Sequence, residues 1–170
     1  QFLKTQGSGA NPVWGDTGGA ILQVKGAHYF GTTTVTTSSD GVDISTLHSD
    51  YDHLKVDITP SSASSKFFIH IGSGIGGSSA KYGMAYIRRG IASGSLSTLT
   101  GGRHFGNGTG DPHMHITQAY WDAPNTTSVV NYRLFVRRHS TNSINVNDLG
   151  STDSKGPGQW IYVWEYDGSL

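Results

Sequence analysis

The ten residues VVNYRLFVRR at positions 129–138 alternate with the period of a strand. Val130, Tyr132, Leu134 and Val136 fall on one face, and Asn131, Arg133, Phe135 and Arg137 on the other. Successive side chains of an extended chain point to opposite sides, so the pattern predicts a half-buried strand. The same period recurs on both sides of it. Residues 52–59 set Leu54, Val56 and Ile58 against His53, Lys55 and Asp57, and Pro60 with the serines of 61–65 then ends the run. Residues 113–121 set Met114, Ile116 and Tyr120 against His113, His115, Thr117 and Trp121. Gln159–Tyr166 places Trp160, Tyr162, Trp164 and Tyr166 on one face and Ile161, Val163 and Glu165 on the other.

Further strands are predicted over 21–30, with Leu22 and Val24 opposite Gln23 and Lys25, and over the threonine-rich 32–37. Residues 66–71 are apolar on both faces and predict an interior strand, and 82–91 form another. Residues 72–79 read as a flexible glycine turn, and 93–110 as a long polar loop that carries Arg103, His104 and Phe105. Eight to ten short strands separated by Gly, Ser, Asn and Asp indicate an all-β fold, an antiparallel β-sandwich resembling a jelly roll. Residues 1–19, rich in Gly with isolated apolar anchors, read as an extended arm, and 20–170 as the sandwich domain.

Composition agrees with this division. The 170 residues suit one domain with a real core. Gly, Ser and Thr make up more than a third of the chain, which disfavours helices and excludes a helical bundle. Charged residues are 14%, and twelve cationic side chains balance twelve acidic ones. A nucleic-acid partner is not expected from a chain without basic excess. Cysteine is absent, so no disulfide or thiolate metal site exists. No apolar run approaches the length of a membrane helix, and no membrane insertion is expected. Because the chain begins at Gln1, it is expected to be a piece of something longer or a processed product.

Several stretches resemble, in order, the C-terminal modules of tailed-phage tail-fibre and virion structural proteins, marine phages in particular. They are QFLKTQGSGANPVWGD (1–16), VDITPSSASSKFFIHI (56–71), YWDAPNTTSVVNYRLFVRR (120–138) and QWIYVWEYDG (159–168). The resemblance implies a homotrimeric fibre tip or virion-surface sandwich whose loops contact a bacterial surface glycan or lipopolysaccharide. It implies contacts with other virion proteins through the arm, and it transfers no functional residue. The expected location is the virion and the expected role is attachment without catalysis. The alternatives are a purely structural virion module, such as a head decoration or fibre base, and a lectin or glycan-degrading domain of the same fold.

Candidate sites follow from residue chemistry. On a strand, His113 and His115 share one face with Cα atoms about 7 Å apart. One chain supplies only two ligands, whereas a threefold axis would supply six imidazoles to a transition metal. A solvent-facing pair is the plain alternative. Arg103, His104 and Phe105, with Trp121, combine cationic and aromatic groups suited to ligand binding. Trp160, Tyr162, Trp164 and Tyr166 form too large an apolar face to leave in water, so they belong to the core, a subunit interface or a carbohydrate platform. The pairs Asp40/Asp43 and Asp50/Asp52 read as turn residues rather than calcium ligands. Arg88-Arg89 and Arg137-Arg138 each offer one Arg per face and read as rim charges. Glu165 is the sole Glu, and nothing in the sequence pairs it with a second carboxylate as glycoside hydrolysis requires.

Overall fold

The computed structural model describes residues 2–4, 13–15, 21–30, 33–35, 42–43, 54–76, 82–99, 103–106, 114–138, 144–146 and 158–168. These form β-strands joined by turns, and no helix among them is long and apolar enough to cross a membrane. Strands β1 (Phe2–Lys4) and β2 (Val13–Gly15) pair with each other inside the segment read as an arm. One sheet contains β3 (Ile21–Tyr29), β4 (Thr33–Val35), β7 (Lys66–Gly76), β11 (Met114–Asp122), β13 (Ile144–Val146) and β14 (Gln159–Tyr166). The other contains β5 (Val42–Asp43), β6 (Lys55–Ile58), β8 (Tyr82–Ile91), β9 (Ser97–Thr98), β10 (Arg103–Gly106) and β12 (Val130–Arg138).

The pairings are nested. Strand β3 pairs β14, β6 pairs β12, β7 pairs β11 and β8 pairs β10, all antiparallel. Cross-pairings of β14 with β7 and of β12 with β8 then roll this long hairpin into two layers. That is the jelly-roll form of the antiparallel sandwich. The first sheet runs β3–β14–β7–β11, with β13 and β4 continuing it past Gly76, and the second runs β10–β8–β12–β6.

Alternation explains the core. Phe67, Ile69 and Ile71 of β7 and Ile161 and Val163 of β14 point inward from the first sheet. Val56, Ile58, Ile87, Val130, Tyr132, Leu134 and Val136 meet them from the second. Burying one such aliphatic or aromatic side chain stabilises the fold by about 1.5–3 kcal/mol, so these layers supply the main driving force.

Two sequence expectations need correction. The glycine run from 72 is not a turn, since β7 continues to Gly76. A Cβ at Gly72 would overlap the Trp160 indole, so glycine here permits close cross-strand packing rather than a reversal. Residues 93–110 are not one loop, because β9 and β10 lie within them and pair with β8. Strands β5 and β13, two and three residues long, carry no visible sequence pattern.

Candidate functional site

The outer face of the first sheet gathers most of the aromatic side chains singled out in the sequence. Register places Trp121 opposite Phe68, Phe68 opposite Trp164, and Trp164 opposite Val24. The next row runs Ala119, His70, Tyr162, Gly26, and the one after it Thr117, Gly72, Trp160, His28. The rings touch along the sheet. Trp121 lies 5.1 Å from both Phe68 and Tyr166, and Phe68 lies 5.6 Å from Trp164. Trp164 neighbours Tyr162 at 5.9 Å and His70 at 6.5 Å, and His70 neighbours Trp160 at 6.3 Å. Tyr162 packs against Gly26 as Trp160 packs against Gly72, so each ring occupies the space where a Cβ would stand. Aromatic rings packed over glycines in this way restore contacts that glycine lacks.

Trp160, Tyr162, Trp164 and Tyr166 are therefore not core residues. The buried face of β14 is Gln159, Ile161, Val163 and Glu165. The aromatic face stays open to solvent, with Trp121 54%, Val24 50% and Tyr162 36% exposed. Lys66 is its one Lys, Arg, Asp or Glu among the outward positions of β3, β14, β7 and β11. Beside it a cleft of about 460 Å³ is bounded, among the described residues, by Lys66, Trp121, Asp122 and Ala123.

His115 joins the same face. Its ring stacks on Trp160 at 4.7 Å, and burial holds its pKa below the ordinary 6.5. His113 lies outside the described residues, as do Asp40, Asp50 and Asp52. Among the described residues no three or more His, Asp or Glu converge as a metal cluster. Arg103, His104 and Phe105 stand on β10, opposite Ala85, Met84 and Gly83, at the edge of the second sheet. The expected ligand set is thus divided: Trp121 belongs to the aromatic face, and β10 to the other layer. Phe68, His70 and His28 complete the face and were missed, because only inter-strand register brings them beside β14.

Two buried polar groups tie the layers together. The Glu165 carboxylate accepts hydrogen bonds from Ser65 Oγ (2.6 Å), Ser61 Oγ (3.2 Å), the Ser61 amide and Gln23 Nε2. Burial alone would raise its pKa, but the bonds from Ser65, Gln23 and Ser61 outweigh that and hold it below its ordinary value. Glu165, one of the carboxylates considered for glycan chemistry, is thus engaged in anchoring the turn at 61–65. Asp122 accepts from the Tyr132 hydroxyl (2.8 Å) and pairs with Arg89 (2.7 Å), linking β11 to β12 and β8. Burial first, and the Asp122 charge second, push the Tyr132 phenol far above its usual range.

No protein-family model matches the chain, and no curated protein matches it. Among solved structures it is similar to that of the infectious bursal disease virus Gx strain, at 10% identity and a TM-score of 0.39. That match covers 99% of this chain and 43% of the other. It is also similar to the T13 viral particle of the same virus, at 10% identity and a TM-score of 0.40, covering 96% and 39% of the two chains. The chain thus spans less than half the length of these structural neighbours.

Proposed function

We propose that this chain is a non-enzymatic virion-surface module that packs against copies of itself through the aromatic face and attaches to a bacterial surface polymer. The observation that carries the assembly is the composition of that face. Four strands about 4.8 Å apart and some eight residues long present roughly 500 Å² in projection, against the ~800 Å² per partner of a standard interface. Projected area understates accessible area, because bulky rings stand up from the sheet. Interface cores are depleted in charge and rich in Trp, Tyr and Phe, which describes these rows.

A sugar fits the same rings less well. Its hydroxyls need acids, amides or guanidinium groups to replace water, and the outward positions of these four strands hold no Asp, Glu, Asn, Gln or Arg. The exposed Leu22 and Val24 at the β3 edge likewise suit a protein partner. The attachment role rests on the resemblance to phage fibre modules and on the jelly-roll topology, a form used by capsid and lectin domains.

The expected assembly is a trimer of about 54 kDa, three times 18.1 kDa, by light scattering. Val24→Glu combined with Trp121→Glu places charge at two exposed positions and should give a folded monomer. A parent protein that stays at 18.1 kDa at tens of micromolar overturns the assembly.

A further inference from the structure

Exposure on the outer face of the first sheet is concentrated at its two margins. On β3, Ile21 is 52% exposed, Leu22 44% and Val24 50%, and on β11 Trp121 is 54% exposed. Between them Phe68, Trp160, Trp164 and Tyr166 are half-buried among neighbouring rings. The two margins differ in shape. Register shifts between Glu165 and Tyr166, so β3 carries an extra residue, Leu22, at a bulge. Ile21 and Leu22 are both exposed there, although neighbours on a regular strand point to opposite faces. The β11 margin is instead concave, since the cleft beside Trp121 lies along it.

The two margins also stand at one level of the sheet. Trp121, Phe68, Trp164 and Val24 form one cross-strand row, and Lys66, Tyr166 and Ile21 belong to the next. Three strand spacings, about 14 Å, separate the margins, so the cleft does not receive the apolar margin of its own chain.

We infer that the Ile21–Val24 margin of one copy seats in the Trp121 cleft of the next copy, head to tail. The inference rests on the assembly reading and names the two surfaces that meet. A heterologous contact closes into a ring when rotation alone relates successive copies, whereas a rise per copy draws it out into a filament. Trp121 and Val24 share a row, so rotation about an axis parallel to the strands brings one to the other without a rise. Size fits as well. An apolar cavity of about 150 Å³ already admits a benzene-sized group. The cleft of about 460 Å³ therefore has room for several aliphatic side chains. Area favours a second copy as the occupant. The flat face presents roughly 500 Å² against the ~800 Å² per partner of a standard interface, and a bulged margin seated in a cleft adds contact that the flat face lacks.

The test uses thiol cross-linking. The chain has no cysteine, so introduced ones react alone. Val24→Cys and Ala123→Cys place thiols at exposed positions on the two margins. A bis-maleimide too short to span the ~14 Å within one chain is added to each variant, to their mixture after subunit exchange, and to the double variant. Each single variant should stay at 18.1 kDa on a denaturing gel. The mixture should give a covalent pair of about 36 kDa, twice 18.1 kDa, and the double variant a covalent trimer of about 54 kDa, three times 18.1 kDa. If Val24→Cys shifts the melting temperature, Leu22→Cys takes its place on the same margin. A single variant that cross-links to itself, a mixture without the pair, or a double variant that stops at the pair overturns the inference. The assembly itself stands in those cases as long as the parent associates in light scattering. A parent that is monomeric in light scattering overturns the assembly and the inference with it.

Discussion

Glu165 shows how much one residue can decide. A carboxylate inside a β-sandwich is tolerated only when its lone pairs are filled, and here the donors come from β3 and from the turn at 61–65. Replacing it by Gln turns an amide group toward hydroxyl and backbone donors, leaving buried groups unmatched. Glu165→Gln should therefore destabilise by about 2–4 kcal/mol in denaturant unfolding. The pH response has a definite sign. The folded carboxyl titrates below its ordinary 4.5, so its stabilisation is complete above 4.5 and is lost as the pH falls through the lowered folded value. Melting temperature followed from pH 7 to pH 3 should drop over that window in the parent and much less in the variant. A parallel drop in both would show that other carboxylates carry the acid response. Sequence placed Glu165 on the same face as Ile161 and Val163, and the structure agrees. Its partners could not be read there, since Gln23 lies 142 residues away along the chain.

At the scale of the element, strands with a clean two-residue period were legible because burial on one face imposes that period. The strand Gln159–Tyr166 begins and ends where alternation indicated, and Tyr82–Ile91 has the bounds expected from the sequence. Strand β10 was hidden, since four residues, RHFG, carry too little periodicity to identify a strand paired along the edge of β8. The far half of β7 was hidden for another reason: glycines signal a turn locally, while here Gly72 makes room for a ring from the neighbouring strand. Which rings share a face was legible within β14, but not across β7 and β11, because register is a property of pairs. The Gly72–Trp160 contact tests this account. Gly72→Ala should destabilise by about 1–3 kcal/mol through overpacking. Combined with Trp160→Leu, the loss should be clearly less than the sum of the two single changes. Strict additivity would mean that the indole does not constrain the glycine.

For the whole molecule, the open aromatic rows all lie on one side of the sandwich. Sheets pack about 10 Å apart, so the aromatic face and the outer face of the second sheet are divided by the full thickness of the core. Partners on the two sides can then bind without competing. Tryptophan reports on this division, because Trp121, Trp160 and Trp164 all stand on the aromatic face, and Trp14, on β2, is the fourth. Self-association should shield the three from a soluble quencher, so acrylamide quenching of fluorescence should increase as the protein is diluted. If dilution changes nothing while the mass falls, the copies meet elsewhere, and the exposed rows around Trp121 and Val24 need a different partner.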